Sequence, residues 1–338
     1  MRLVKLCILF ILAVILLFQC KKDDPNAIIN ITDNNFLDAL IELGIDTDGD
    51  RQISNQEAGV VISIDVSRDS ISDMTGIEKF INLDTLICVH NKLAVLDISK
   101  NTALKYLNCS YNLIDKMNVS QNNSLTYLDC RGNNLEFLDV SKNKVLEVLD
   151  FQRNHISMID LTLNKALKRL GCGINPLSSL ELSNNSELEE LDCLNCITLP
   201  TLDVTHNEKL KNLNCSYCFM QNIDVSENSA LEVLVCGVNY LTSLDISNNT
   251  SLSKLDCYEN NLSTLDVSNN TALKWLNCGF NQITSLDVSN NTSLESLYLN
   301  MLPHLNEVCV WEMPFPPTGF KVDTTGSPNV YFTTECSE

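Results

Sequence analysis

The sequence repeats itself every 21 residues over most of its length, and this period limits the fold more than any other feature. The motif L-x-x-L-x-C-x-x-N begins at eleven leucines: Leu83, Leu104, Leu125, Leu146, Leu167, Leu188, Leu210, Leu231, Leu252, Leu273 and Leu294. Only the interval between Leu188 and Leu210 departs from this period, by one extra residue. Self-similarity at such a period indicates a solenoid, in which each repeat forms one coil and packs on its neighbours.

Each coil carries the alternation of a β-strand. In LKWLNCG, residues 273–279, the pattern places Cys278 inside the coil and Trp275 and Asn277 outside, and Asn281 ends the strand. The motif resembles the leucine-rich-repeat family over about two-thirds of the chain. That resemblance implies an α/β-type solenoid, mostly β, with 21-residue coils and parallel strands on its inner face. It also implies a short N-terminal helical cap and a C-terminal cap.

Cysteine fills the inner position of most coils. The ladder is Cys88, Cys109, Cys130, Cys172, Cys193, Cys215, Cys236, Cys257 and Cys278. Phe151 and Leu299 fill the same position in two other coils, which argues against a metal site. Parallel side chains have poor geometry for disulfides, so we expect buried free thiols that pack as small apolar groups. Cys196 and Cys218 replace the strand-ending asparagine in adjacent coils, and either a bridge between them or two separate turns would fit.

The N-terminus has the pattern of an export signal. A basic start is followed by an apolar run at 6–18 that is too short to span a bilayer. Residues 1–20 resemble a bacterial lipoprotein signal, which implies that Cys20 is lipidated and becomes the first mature residue. The sequence KKDDP after it resembles tails of Bacteroidetes lipoproteins displayed on the outer face of the outer membrane. A cleaved secretory signal followed by a polar linker is the alternative.

The remaining chain divides into four predicted segments: a linker at 21–30, an N-terminal cap at 31–82 with a degenerate first repeat, the repeats at 83–302, and a C-terminal cap at 303–338. Cys309 and Cys336 lie outside the ladder, and in an oxidising compartment we expect a disulfide between them. Beyond the lipid anchor, no contact with the membrane is expected.

The N-terminal cap contains an acidic loop, DTDGDRQISNQE, preceded by a predicted helix at 35–43. The loop resembles an EF-hand, which implies a structural calcium ion as cofactor. The implied ligands are the carboxylates of Asp46, Asp48, Asp50 and Glu57 and the backbone carbonyl of Gln52. Arg51 stands where that family has glycine. The alternative is an acidic loop that only closes the end of the solenoid.

Charge and motifs exclude several functions. A net charge of −20 argues against binding of nucleic acid, which needs clustered Lys and Arg. The sequence lacks a serine nucleophile elbow, HExxH and a glycine-rich phosphate loop, so we do not expect an enzyme. Asp129 and Asp150 on successive coils resemble a retaining glycosidase pair. An open solenoid face, however, is expected to offer no pocket that would raise the pKa of one of them.

The outward residues of the strands are the candidate binding site. The principal patch is Asp256, Tyr258, Trp275, Asn277 and Tyr298, and a second group is Tyr106, Tyr127, Asp129 and Arg131. Gly279 is expected to leave the face of the Trp275 indole open. Aromatic rings among amides and carboxylates suit an extracellular protein or a polysaccharide. We therefore expect a monomeric, surface-anchored recognition module or adhesin; a structural or spacer lipoprotein without a specific ligand is the alternative.

Overall fold

The structure, a computed structural model, describes residues 24–336, so the predicted signal peptide and Cys20 lie outside the described residues. Parallel strands of three residues each, one per coil, stack into a 13-stranded sheet in the order β1 to β11, β13, β15. The strands are β1 Ser63–Asp65, β2 Thr85–Ile87, β3 Tyr106–Asn108, β4 Tyr127–Asp129, β5 Val148–Asp150, β6 Arg169–Gly171, β7 Glu190–Asp192, β8 Asn212–Asn214, β9 Val233–Val235, β10 Lys254–Asp256, β11 Trp275–Asn277, β12 Ser285–Asp287, β13 Ser296–Tyr298, β14 Glu307–Cys309, β15 Lys321–Asp323 and β16 Tyr331–Thr333. The predicted fold class is confirmed.

The strands pair in register because all repeats but one have equal length, and the extra residue between Cys193 and Cys215 lies outside the paired strands. Lys254 pairs with Trp275, which pairs with Ser296, each one coil further along. The central residue of the strand, such as Leu276, is fully buried, while its two neighbours are half-buried on the outer surface of the sheet. Equivalent outward residues of neighbouring coils are therefore stacked in columns ~4.8 Å apart.

The ladder cysteines form part of the core. All nine are buried and free, as are Cys196 and Cys218. Burial raises the pKa of Cys278 to about 12, so its thiol stays protonated at neutral pH. The Cys196 and Cys218 thiols lie on the carbonyl oxygens of Cys172 and Cys193, at 3.5 and 3.1 Å. Each therefore belongs to its own turn, and no disulfide joins the two.

Two rows of buried asparagines hold successive coils together. The strand-end row is Asn91, Asn112, Asn133, Asn154, Asn175, Asn239, Asn260 and Asn281, and the return row is Asn101, Asn122, Asn143, Asn164, Asn185, Asn207, Asn228, Asn249, Asn270 and Asn291. In the strand-end row the Asn281 Nδ2 donates to the carbonyls of Cys257 and Cys278, both at 3.0 Å. Its Oδ1 accepts from the Leu262 N–H at 2.9 Å. These side chains satisfy backbone groups that the short strands leave unpaired inside the solenoid.

The N-terminal end is covered by two helices. Helix α1, Asn34–Glu42, begins one residue before the predicted helix and is followed closely by Gly44 in a left-handed conformation (φ +74°). Helix α2, Asn55–Ala58, follows the acidic loop, and a 3₁₀ helix at Ile77–Lys79 precedes β2. Phe36 and Leu40 of α1 are fully buried against the first coils, so the helix covers the apolar end of the core.

The C-terminal end continues the coil architecture. Strands β12, β14 and β16 form a second parallel sheet of three strands, while β15 extends the large one. A disulfide joins Cys309 and Cys336, whose Cα atoms lie 5.5 Å apart. The rings of Trp311, Phe315 and Phe320 pack edge to face with centroids 5.0–5.9 Å apart. Within residues 24–336 no helix is both long and apolar enough to cross a membrane.

Candidate ligand-binding face

The outer surface of the large sheet, called the strand face here, contains two adjoining hollows. The central hollow, of about 380 Å³, lies over β5 to β9 between Arg131 and Val235. The second, of about 300 Å³, lies beside it over β8 to β11 and is called the Asp256 hollow. Asn214 and Val235 line both, so the two form one continuous depression along the strand face.

Gly171 makes room for polar side chains at the floor of the central hollow. Gly171 lies in the outward column between Asp150 and Asp192, and a Cβ there would come within 2.9 Å of the side chains of Asp150 and Gln152. Gln152 Nε2 reaches across the gap to Asp192 Oδ2 at 3.2 Å. Gly171 thus lies at the bottom of the hollow, and the polar side chains of Gln152 and Asp192 at its sides are held by their hydrogen bond without a ligand.

An ion-pair cluster borders the central hollow. The Arg131 guanidinium binds the fully buried Asp129 carboxylate with Nε–O distances of 3.0 Å, and its Nη1 lies 3.5 Å from Asp150 Oδ2. Burial raises the pKa of Asp150 to about 6, and the charge of Asp129 adds to this rise. The expectation that the open face has no pocket able to raise a pKa is therefore wrong, because the Gly171 gap lets Asp150 sink below its neighbours.

The Asp129–Asp150 pair nevertheless does not form two free carboxyl groups facing a substrate. Both oxygens of Asp129 accept hydrogen bonds from Arg131, and Asp150 also accepts one from the Gln152 N–H at 3.1 Å. A retaining glycosidase needs one protonated and one nucleophilic carboxyl group that both reach the sugar. The geometry suits binding of a polar ligand better than acid–base catalysis.

The second candidate group extends from this cluster. Tyr106 and Tyr127, on β3 and β4, stack with centroids 4.0 Å apart and planes 10° apart. Tyr127 is half-buried, and burial together with a hydrogen bond to Tyr106 raises its pKa. Tyr106, Tyr127, Asp129 and Arg131 therefore form one contiguous, pre-ordered surface. Neither tyrosine is among the residues that line the two hollows.

The principal patch is split by the structure. Asp256, Tyr258 and Asn277 line the Asp256 hollow. Trp275 and Tyr298 lie outside it and pack on each other with centroids 5.3 Å apart. The Lys254 ammonium lies 4.8 Å from the centroid of the Trp275 ring, so one face of the indole is covered rather than open.

Gly279 faces a different neighbour from the one expected. A Cβ at Gly279 would collide with the side chain and carbonyl of Asn300, in the next coil. The glycine therefore makes room for Asn300. The Lys254 side chain, and not Gly279, determines how much of the Trp275 indole face is exposed.

The acidic loop brings three of its four predicted carboxylates together. Oxygen atoms of Asp46, Asp48 and Asp50 lie within 4.8 Å of one another, a spacing that fits the oxygen shell of calcium. Arg51 adopts φ +61° and directs its guanidinium out of the loop to Asp38, at 2.8 Å.

Glu57 lies outside this group of three. Its Oε1 accepts from the Thr47 N–H at 2.7 Å, and its Oε2 accepts from the Ser54 N–H at 2.9 Å. Burial raises the pKa of Glu57, but the hydrogen bonds from Ser54 and Thr47 outweigh it and lower that pKa to about 2. Glu57 thus closes the loop onto helix α2 in this arrangement.

Sequence reasoning missed the residues that shape the hollows. Gly171 and Gly237 are outward strand-face positions whose lack of a side chain matters only once the coils are stacked. It also missed an exposed apolar row on three successive coils, formed by Ile197, Phe219 and Tyr240, and the exposed rings of Tyr217 and Phe280 two residues earlier in their coils. The 21-residue period would have revealed these columns if every position of the coil had been aligned, not only the motif.

Fold and surface together define the class: the chain is a leucine-rich-repeat solenoid with a contoured strand face. No family model matches the sequence. Over 50 residues, 15% of this chain and 6% of the relative, it is 46% identical to internalin J of Listeria monocytogenes serotype 4b (strain F2365).

Solved structures share the architecture. The functional domain of InlJ from Listeria monocytogenes, described as including a cysteine ladder, is 31% identical with a TM-score of 0.69, covering 91% of this chain and 63% of that one. The internalin InlF of the same species is 19% identical with a TM-score of 0.70, over 90% and 96% of the two chains. A leucine-rich-repeat protein of Leptospira interrogans is 17% identical with a TM-score of 0.63, over 83% and 87%. This chain thus spans less than two-thirds of the InlJ domain and a small part of internalin J.

Proposed function

We propose that this protein is a cell-surface recognition module that binds an extracellular protein or polysaccharide through its strand face. The observation that carries the proposal is the continuous depression formed by the two hollows, with Asn214 and Val235 in common. Its polar walls are held by hydrogen bonds within the protein, so little ordering is required when a ligand binds. Such pre-organisation suits binding rather than turnover.

The proposal extends to location and assembly. The sequence of residues 1–25 supports a lipid anchor at Cys20 and display on the outer face of the outer membrane. We propose a monomer, because the N-terminal helices and the C-terminal aromatic cluster cover the apolar ends of the solenoid. Adhesion to another cell is one use of such a module.

A calcium ion is part of the same proposal. Asp46, Asp48 and Asp50 would hold it, with the Gln52 carbonyl as a further ligand. Glu57 would have to give up hydrogen bonds to Thr47 or Ser54 to join them. Bound calcium would neutralise the three converging carboxylates and stiffen the N-terminal cap.

The proposal is tested with the soluble chain starting at Lys21. It is screened against extracellular proteins and a glycan array, together with Asn214→Trp, which fills both hollows. The matched control is Asn248→Trp, at an exposed position away from the strand face. We expect Asn214→Trp to abolish binding and Asn248→Trp to retain it.

The aromatic patch gives a second test with the same partner. Trp275→Ala should weaken binding by about 2 kcal/mol or more if the indole is a contact residue, since buried aromatic anchors dominate binding energy. A partner that binds wild type and Asn214→Trp equally would refute the strand face as the site. If no protein and no glycan binds, the alternative of a structural or spacer lipoprotein stands.

A further inference from the structure

The Asp256 hollow has a shape set by small residues. Along one outward column, Leu194 and Tyr258 stand at the two ends, and Ser216 and Gly237 lie between them. Two successive coils without bulky side chains leave a gap of ~10 Å along the solenoid. A Cβ at Gly237 would lie 3.0 Å from the Tyr258 carbonyl, so the glycine also permits the close approach of that coil.

One charge lies at the base of this gap. Among the described residues that line the hollow, Asp256 alone is charged. Its carboxylate is half-buried and accepts hydrogen bonds from the Tyr258 N–H at 3.3 Å and from Asn277. The charge of Lys254, on the same strand, favours the ionised form of Asp256, but its ammonium lies over Trp275 and Lys254 does not line the hollow. The carboxylate therefore faces a space that no cation of the described chain fills.

Aromatic rings stand beside this carboxylate. Tyr217 lines the hollow with a side chain about half exposed. Tyr258 also lines it, and its ring packs on Phe280 with centroids 4.9 Å apart. A cation placed over an aromatic face is attracted by the ring quadrupole, and Lys254 on Trp275 shows the same interaction one coil away. Carboxylate and aromatic rings in one concave site select for a positive group.

We propose that the Asp256 hollow binds a cationic side chain, an ammonium or a guanidinium, presented by a partner polypeptide. This inference rests on the proposed function and names the chemistry that the strand face recognises. A polypeptide is favoured because the exposed apolar row beside the hollow includes Ile197, Phe219 and Tyr240, at 46–53% exposure. These surfaces suit apolar side chains next to the basic residue.

Overall charge points the same way. The protein carries a net charge of −20. In the adjoining central hollow Asp150 and Glu190 are already paired with Arg131 and Arg169, so the unpaired carboxylate that a basic group would meet is that of Asp256. Complementary charge also speeds the encounter of the two molecules.

The test uses small probes and needs no identified partner. N-acetyl-arginine amide is titrated into the soluble chain and followed by ligand-observed NMR, with N-acetyl-citrulline amide as its neutral isostere. We expect saturable binding of the arginine probe and none of the citrulline probe. Glucosamine serves as the probe for an amino sugar.

Two substitutions and two matched controls locate the site. Asp256→Asn and Tyr217→Ala should each weaken binding of the arginine probe by about tenfold or more, because a charged hydrogen bond or a cation–π contact is lost. Asp245→Asn, on the opposite surface, and Tyr111→Ala, at the equivalent position five coils away, should leave it unchanged. Unaltered urea midpoints verify that the variants are folded.

Each other outcome overturns the inference. Equal binding of arginine and citrulline probes refutes cation recognition, and binding that survives Asp256→Asn refutes the site. Binding of glucosamine alone refutes a polypeptide partner. The proposed function fails separately, since it depends on whether Asn214→Trp loses a macromolecular ligand.

Discussion

Replacing Asn260 by alanine should destabilise the solenoid by about 3 kcal/mol, because its side chain serves three buried backbone groups. Its Oδ1 accepts from the Leu241 N–H at 3.0 Å, and its Nδ2 donates to the carbonyls of Cys236 and Cys257 at 3.1 and 3.0 Å. The two carbonyls keep a second donor, from Asn239 and Asn281.

The expected loss of stability follows from this contrast between the Leu241 N–H, which loses its acceptor, and the two carbonyls, which each keep one donor. The orphaned Leu241 N–H costs ~1–3 kcal/mol, and the two lost hydrogen bonds cost ~0.5–1.5 kcal/mol each. Urea unfolding of the soluble chain measures the change, with the adjacent Asn261→Ala as control, because Asn261 is exposed. Asn261→Ala should cost less than ~0.5 kcal/mol.

A natural substitution sharpens the test. Cys218 occupies the same position two coils earlier, and its thiol donates to the Cys193 carbonyl at 3.1 Å. Asn260→Cys should therefore cost less than Asn260→Ala, since one of the donor contacts is restored. The reasoning is refuted if Asn260→Ala changes stability by less than ~1 kcal/mol or if the cysteine variant is the less stable one.

Three further predictions concern charge, metal and thiols. Because the folded-state pKa of Asp150 is raised from 3.8 to about 6, stability from this carboxyl is present below pH ~4 and lost as pH rises through ~6. Asp150→Asn should thus stabilise the protein by up to ~3 kcal/mol at pH ~7.5 and little at pH ~4, and equal urea-midpoint shifts at both pH values would contradict this. Calcium should raise the melting temperature of the protein. Asp48→Asn, which leaves the hydrogen bonds of Glu57 intact, should remove most of that increase. If a chelator leaves the melting temperature unchanged, the loop only caps the solenoid. The denatured, non-reduced chain starting at Lys21 should show eleven reactive thiols, and reduction of the disulfide should expose two more. A count of fewer than nine thiols before reduction would mean that ladder cysteines are bridged.

The repeat made much of the fold readable from sequence. Inward Leu276 and Cys278 and outward Trp275 and Asn277 follow from period-two alternation, and the coil length sets which residues stack. The return row of asparagines, such as Asn270, was present in the same period and was overlooked, because the motif was aligned only on its strand half. Its role depends on carbonyls in the preceding coils, which alternation does not address.

The candidate site was less predictable because its shape depends on neighbours across coils. Asp150 is buried because Gly171, one coil away, has no side chain, and Lys254 covers Trp275 because its stem is long enough to reach the next strand. These contacts depend on the volume and length of side chains that stack in one column on neighbouring coils. A single strand, read along its own sequence, carries no signal for them.

The uniform register also bears on how such a protein changes over generations. Residues one period apart occupy equivalent places in the backbone, so recombination between two repeats of the gene can remove or add a whole coil and still join compatible ends. Length can then change in steps of ~4.8 Å without a new folding problem. The coil between Leu188 and Leu210, one residue longer, is out of step with such exchange. The shape of the hollows depends on single residues, Gly171 and Gly237. The length of the solenoid and its ligand specificity can therefore evolve separately.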